Sequence, residues 1–131
     1  MTIQELSQLR WLEQEISRDK ERLEELEALA LGGVAYDSQH LGGSNSHGKT
    51  ERLGIEIAEL KELIKLKHEQ RVIEYSRLTR FIEGIEDSQT RQIFDLRYRR
   101  GLTWNQVADI VDGGNTDETC KKRVYRYVNG E

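Results

Sequence analysis

DSQTRQIFDLRYRRGLTWNQVADIVDGGNTDETCKKRVYRYV, residues 87–128, is the stretch whose reading decides the fold. Asp87 or Ser88 can cap a helix that runs through Tyr98, with Ile93, Phe94 and Leu96 turned toward a small core. Gly101 is placed to end that helix in a left-handed conformation. Thr103 then caps a second helix, Trp104 to Val111, which buries Val107, Ala108 and either Ile110 or Val111. Asp112, Gly113, Gly114 and Asn115 break the pattern, and Thr116 caps a third helix with Cys120, Val124 and Val128 four residues apart on its inner face. Three short helices with a glycine turn before the last predict a helix-turn-helix over residues 87–131.

Working outward, residues 1–86 read as a two-helix coiled-coil region that serves self-association. Gln4 to Leu31 holds no Gly or Pro, and Leu9, Leu12, Ile16, Leu23 and Leu26 fall three, four or seven residues apart, a helical seam. Asp19 occupies the skipped seam position between Ile16 and Leu23, where a carboxylate must be paired or wet. A second seam, Leu53, Ile57, Leu60 and Ile64, follows Thr50 and then shifts phase to Val72, Tyr75, Leu78, Ile82 and Ile85, which implies a change of partner surface. Between the helices, residues 32–49 hold five of the eleven glycines with several Ser, Asn and His, so an exposed, flexible loop is expected there. At about 1.5 Å per residue, helices of about 28 and 35 residues reach some 40 and 50 Å and fold back as an antiparallel pair. Two narrow seams make a thin core, so a homo-oligomer is expected through the long helices.

Composition agrees. A chain of 131 residues without proline, 34 % charged and with nine aromatics, fits an all-α protein better than a deep β core, and it is too short for a large enzyme. A single cysteine, Cys120, excludes an intramolecular disulfide. No apolar run approaches the roughly 18 residues of a membrane span, and the polar opening Met1-Thr2-Ile3-Gln4-Glu5 is unlike a signal peptide. The expected location is the cytoplasm of a bacterial host, with no membrane partner. The net charge of −4 conceals an asymmetry: residues 89–131 carry eight Lys/Arg against six Asp/Glu, whereas the rest of the chain carries 12 against 18. The basic end is the place to look for a polyanion.

Gly43-Ser44-Asn45-Ser46-His47-Gly48-Lys49-Thr50 matches the phosphate-loop pattern letter for letter. That chemistry needs a buried strand to deliver the loop and a distant acid for magnesium. Neither is evident, because Asp37-Ser38-Gln39-His40-Leu41-Gly42 precedes it where β-branched residues are required. His40, His47 and Cys120 lack paired ligand spacing, so no metal or cofactor is expected. Nor is any nucleophile or carboxylate pair placed for catalysis, and the chain does not read as an enzyme.

What remains is the last helix. With Cys120, Val124 and Val128 inward, its outer face is basic and suits DNA. Thr119, Lys122 and Arg123 are placed to approach base edges, and Arg126 with Arg99 or Arg100 to contact the backbone. Asp117 and Glu118 at its head can cap the helix or accept from cytosine amino groups. Thr103, Gln106, Thr116 and Lys121 complete the expected DNA-binding set.

Arg91 through Val111, with Leu96-Arg97-Tyr98, then Gly101-Leu102-Thr103-Trp104 and Val107-Ala108 before the turn, resembles region four of bacterial sigma factors. The full layout of acidic coiled coil, Tyr36-containing glycine/serine loop, second long helix and this module resembles the ArpU-type phage transcriptional regulators. Only residues 87–131 carry a discriminating motif. The resemblance implies control of phage or prophage late genes through sequence-specific binding of double-stranded DNA, contact with RNA polymerase, and no catalysis. The Gly113-Gly114-Asn115-Thr116-Asp117 turn departs from the family in being roomier. Two other readings stand beside it. A small terminase subunit also joins a helix-turn-helix to oligomerising helices, and a coiled-coil inhibitor can use a degenerate helix-turn-helix to bind protein.

Overall fold

A computed structural model describes the backbone of residues 1–39, 43–111 and 113–131, and the side chains of these except 33–39 and 43–47. Its described residues form helices and no strands, as an all-α protein requires. Helix α1 spans Ile3–Gln39 and α2 spans Gly43–Glu83; α3 is Ser88–Phe94, followed by a π-helical segment Asp95–Arg99, α4 Trp104–Ile110 and α5 Asp117–Val128. No helix among the described residues is long and apolar enough to cross a membrane.

Two sequence expectations are corrected here. The loop over 32–49 is largely helical backbone, since α1 continues through Gln39 and α2 starts at Gly43; residues 40–42 lie outside the described residues. A glycine inside a helix weakens it by about 1 kcal/mol relative to alanine but forms no steric block as proline does, and this chain has no proline. The helix expected through Tyr98 ends as α-helix at Phe94. Beyond it the Arg100 amide donates to the Asp95 carbonyl at 3.0 Å, the five-residue reach of a π turn, and the Leu102 amide donates to Leu96 at 3.1 Å.

The chain divides into two compact units. One comprises residues 14–70. Here Ile16, Leu26 and Ile64 are buried, and Leu23, Leu53, Ile57 and Leu60 are half-buried. Asp19, the interruption in the first seam, is paired: Lys67 Nζ lies 2.6 Å from its Oδ2 and 3.6 Å from Glu15. Glu27 meets Lys61 at 3.7 Å, so partners descend α2 as they ascend α1, which makes the pair antiparallel. The Asp19 carboxylate holds the Lys67 ammonium above its ordinary pKa, against the opposing effect of burial.

The other unit comprises residues 1–13 and 71–131. Leu6 and Leu9 of α1 and Leu78 and Ile82 of α2 share one core with Ile85, Ile93, Phe94, Val107, Val111, Cys120 and Val124. The boundary expected between 86 and 87 is therefore corrected: the outer ends of the long helices belong to the core of the short ones. The reason is size, because three helices of seven to twelve residues bury too little apolar surface alone. In the same unit Glu13 pairs with Arg71 at 2.9 Å and Glu5 with Arg77 at 3.6 Å, again antiparallel. The residues assigned to self-association are likewise corrected. Leu9, Leu12, Ile16, Leu26 and Ile64 are buried within the single chain, whereas Trp11, Ile55, Leu63, Leu66, Val72, Ile73 and Tyr75 stay exposed.

Candidate nucleic-acid interface

The last three helices are set by their caps. The Asp87 carboxylate accepts from the Thr90 amide at 2.9 Å and from the Thr90 hydroxyl at 2.7 Å, which starts α3. Those hydrogen bonds, the hydroxyl's first, hold the carboxyl below its usual pKa. At α4 the Gln106 amide donates to Thr103 Oγ1 (3.2 Å) and the Thr103 amide to Gln106 Oε1 (2.9 Å), a reciprocal box. Thr116 and Thr119 repeat this at α5: the Thr119 amide donates to Thr116 Oγ1 (3.2 Å) and the Thr116 amide to Thr119 Oγ1 (2.8 Å). Between α4 and α5 the chain turns through Gly113 (φ +106°) and Gly114 (φ +69°), a conformation that side-chain-bearing residues resist. Val111, and not the half-exposed Ile110, fills the core position before this turn.

Beneath α5 lie Cys120 and Val124, both fully buried, and the Tyr127 ring, which stands edge-on to Phe94 (centroids 5.4 Å) and Phe81 (6.0 Å). At about 100° per residue, the direction opposite the midpoint of Cys120 and Val124 is that of Lys122. Lys122 is exposed, as are Glu118, Lys121 and Arg126 around it. Among the described residues, no carboxylate lies within ion-pairing distance of Lys121, Lys122 or Arg126. Asp117 and Glu118 are exposed in the first turn, where a negative charge stabilises the positive end of the helix dipole.

Not every expected residue is available. Arg123 is half-buried and donates from Nη1 to Gln89 Oε1, so it turns toward α3 and away from a base-reading position. Arg99, with a side chain only 16 % exposed, is bound to Asp95 (2.5 Å), Glu83 (3.3 Å) and Thr79 (3.4 Å), and its charge is spent internally. Arg100 remains open, 69 % exposed and 3.7 Å from Asp95. Thr103, Gln106, Thr116 and Thr119 are exposed but committed to their capping boxes. Arg97, which no part of the expected site included, sits over the Trp104 ring at 4.7 Å and donates to the Leu102 carbonyl at 3.0 Å. Burial lowers its pKa from the ordinary arginine value; it is a structural cation that ties α4 to the preceding turn.

A groove of about 480 Å³ runs beside α5, lined by Thr90 of α3, by Thr119, Lys122, Arg123, Arg126 and Tyr127, and by Glu131. The spacing of 119, 122, 123 and 126 marks one stripe of a helix. Its opposite wall, supplied by Thr90, has no signal in the sequence, because α3 is brought there only by tertiary packing. No family model, curated protein or solved structure matches this chain.

Proposed function

We propose that this chain is a sequence-specific double-stranded DNA-binding protein that regulates transcription, presenting α5 to the major groove. The observation that carries the reading is the outward face of α5. Lys121, Lys122 and Arg126 project from a helix with a capping box, opposite a face that buries Cys120 and Val124, with no acid partner among the described residues. An unpaired cationic face on a helix that follows a tight turn is suited to entering the major groove between phosphates. Regulation of phage or prophage late genes, with recruitment of RNA polymerase, is the role that the resemblance to ArpU-type regulators adds.

Self-association belongs to the same proposal but uses a different surface from the seams. The exposed apolar residues of the long helices, among them Leu63, Leu66, Val72 and Ile73, are the ones free to meet a second copy. Two linked modules would then bind successive half-sites at raised effective concentration. The test is selection of bound duplexes from a randomised pool by the full chain at near-physiological salt. An enriched motif, with half-site spacing near one or two helical turns, is the expected result. Salt-dependent binding without a motif, or no binding, would overturn the proposal and favour a protein-interaction role.

A further inference from the structure

Building on the DNA-binding reading, we propose that the groove between α3 and α5 is a cradle for backbone phosphates of one DNA strand, and that Arg123 reads no base. The two outer edges of α5 then have separate tasks. The edge that bears Arg126, together with Lys122 at the crest of the outer face, grips the strand, and the edge that bears Glu118 and Lys121 faces the bases.

Four observations converge on this division. Three cations, Lys122, Arg123 and Arg126, line the groove against one side-chain carboxylate, that of Glu131, so the cleft carries an excess of positive charge. Two of the cations are exposed and without an acid partner among the described residues, so a phosphate that approaches them displaces only water and counterions. The third is fixed: Gln89 accepts from the Arg123 guanidinium, and the nearby Asp87 carboxylate also feels its charge. A guanidinium held from one side loses little further freedom when its remaining donors meet an oxygen, whereas swinging out to a base edge would cost it the Gln89 hydrogen bond. Finally, the far wall is hydroxyl-bearing. Thr90 is a buried residue whose hydroxyl and amide both donate to the Asp87 carboxylate, so that acid is tied up in the helix cap and the lining of this wall itself is uncharged. The groove is partly open to solvent, and Tyr127 is its one aromatic lining residue, so no pair of rings is present to clamp a planar small molecule.

The chemistry recognised is phosphate, and its source is separable by experiment. The full chain is titrated with a duplex that contains its enriched motif, at several salt concentrations, and with the same duplex carrying single methylphosphonate substitutions that neutralise one phosphate at a time. By counterion release, loss of one contact removes about 0.9 from the log–log salt slope and weakens binding about fivefold at 0.15 M salt. Lys122→Ala and Arg126→Ala are each expected to show that loss with the enriched motif unchanged. Methylphosphonate at one or two adjacent positions is expected to weaken the wild-type chain by a similar factor and to leave Arg126→Ala unaffected, whereas Lys121→Ala keeps the methylphosphonate penalty. Thermal unfolding of each variant, expected to be unchanged, separates lost contact from lost fold.

A changed base preference in Arg126→Ala at an unaltered slope would assign the groove to base reading and overturn the inference. So would additive losses from the variant and every methylphosphonate. Saturation by micromolar pyrophosphate at constant ionic strength, with backbone neutralisation harmless, would assign the groove to a free phosphorylated ligand and overturn it equally. If no duplex binds the wild type, the DNA reading itself fails. If duplexes bind selectively but ignore the groove variants, only this inference does.

Discussion

Alanine in place of either glycine of the α4–α5 turn tests the local argument most sharply, because the two sites are neighbours in the chain and unlike in environment. At Gly114, φ is +69° and an added Cβ meets open space. The left-handed conformation costs an L-residue about 1–2 kcal/mol, and the stiffer unfolded chain returns about 0.4–1 kcal/mol of it. Gly114→Ala is thus expected to lose about 0.5–1 kcal/mol. At Gly113, φ is +106°, outside the left-handed basin, and the added Cβ would lie 3.3 Å from Nε2 of Gln89. That residue is the one that holds Arg123. Strain of about 1–3 kcal/mol is joined by displacement of the Gln89 amide, so Gly113→Ala is expected to lose about 2–3 kcal/mol. For a unit of this size each kcal/mol moves Tm by about 4–8 °C. Thermal and urea unfolding followed by circular dichroism would give the two differences. Equal losses, or a neutral Gly113→Ala, would refute the claim that the turn's geometry demands glycine there. A groove built through Gln89 adds a second expectation, that Gly113→Ala weakens DNA binding beyond what unfolding explains and Gly114→Ala does not.

Lys67→Ala leaves the Asp19 carboxylate half-buried at a seam position and is expected to destabilise by about 1–2 kcal/mol, below the range for fully buried pairs because both side chains are about one-fifth exposed. Asp19→Leu combined with Lys67→Leu should recover that stability in urea titrations. In alkali, burial pushes the Tyr98 hydroxyl up to about 12 and Asp19 holds Lys67 above its ordinary value, so both raise the folded-state pKa. Their contribution is complete below pH 10 and falls as pH climbs toward 12, by about 2–3 kcal/mol for the tyrosine; Tyr98→Phe should flatten that part of the stability curve. Arg99→Ala is expected to lower Tm with the salt slope of DNA binding unchanged, and Arg100→Ala to do the reverse. Residues 87–131 expressed alone are expected to lack cooperative unfolding, and restoring residues 1–13 and 71–86 in the full chain restores it.

The three short helices were legible because their caps, turns and apolar periods are local. Thr103 and Thr116 cap from their positions beside apolar periods, Gly101, Gly113 and Gly114 adopt the positive φ their turns need, and Cys120 and Val124 share one face by spacing alone. Asp19 was legible as a problem, and its solution, Lys67, came from the antiparallel register that no single helix encodes. Arg99 and Arg123 show where sequence reading stops. Both are basic residues beside a basic helix, and only tertiary contacts to Glu83 and Gln89 reveal that neither is free. The π segment was hidden for a related reason, since it rests on backbone hydrogen bonds from Arg100 and Leu102 that helical periodicity does not distinguish. The loop over 32–49 was misread because glycine content lowers helix preference without forbidding the helix.

Because Leu6 and Leu9 pack in the same core as Val107, Cys120 and Val124, these leucines leave the ribosome long before the residues that give them a place to go. A chain cut short by a stalled ribosome or a nonsense codon leaves those leucines without their partners and the capped α5 without its floor. On the DNA-binding reading proposed above, competence to hold DNA would arrive only with the complete unit, and truncated products would be left open to proteases in place of competing for operators.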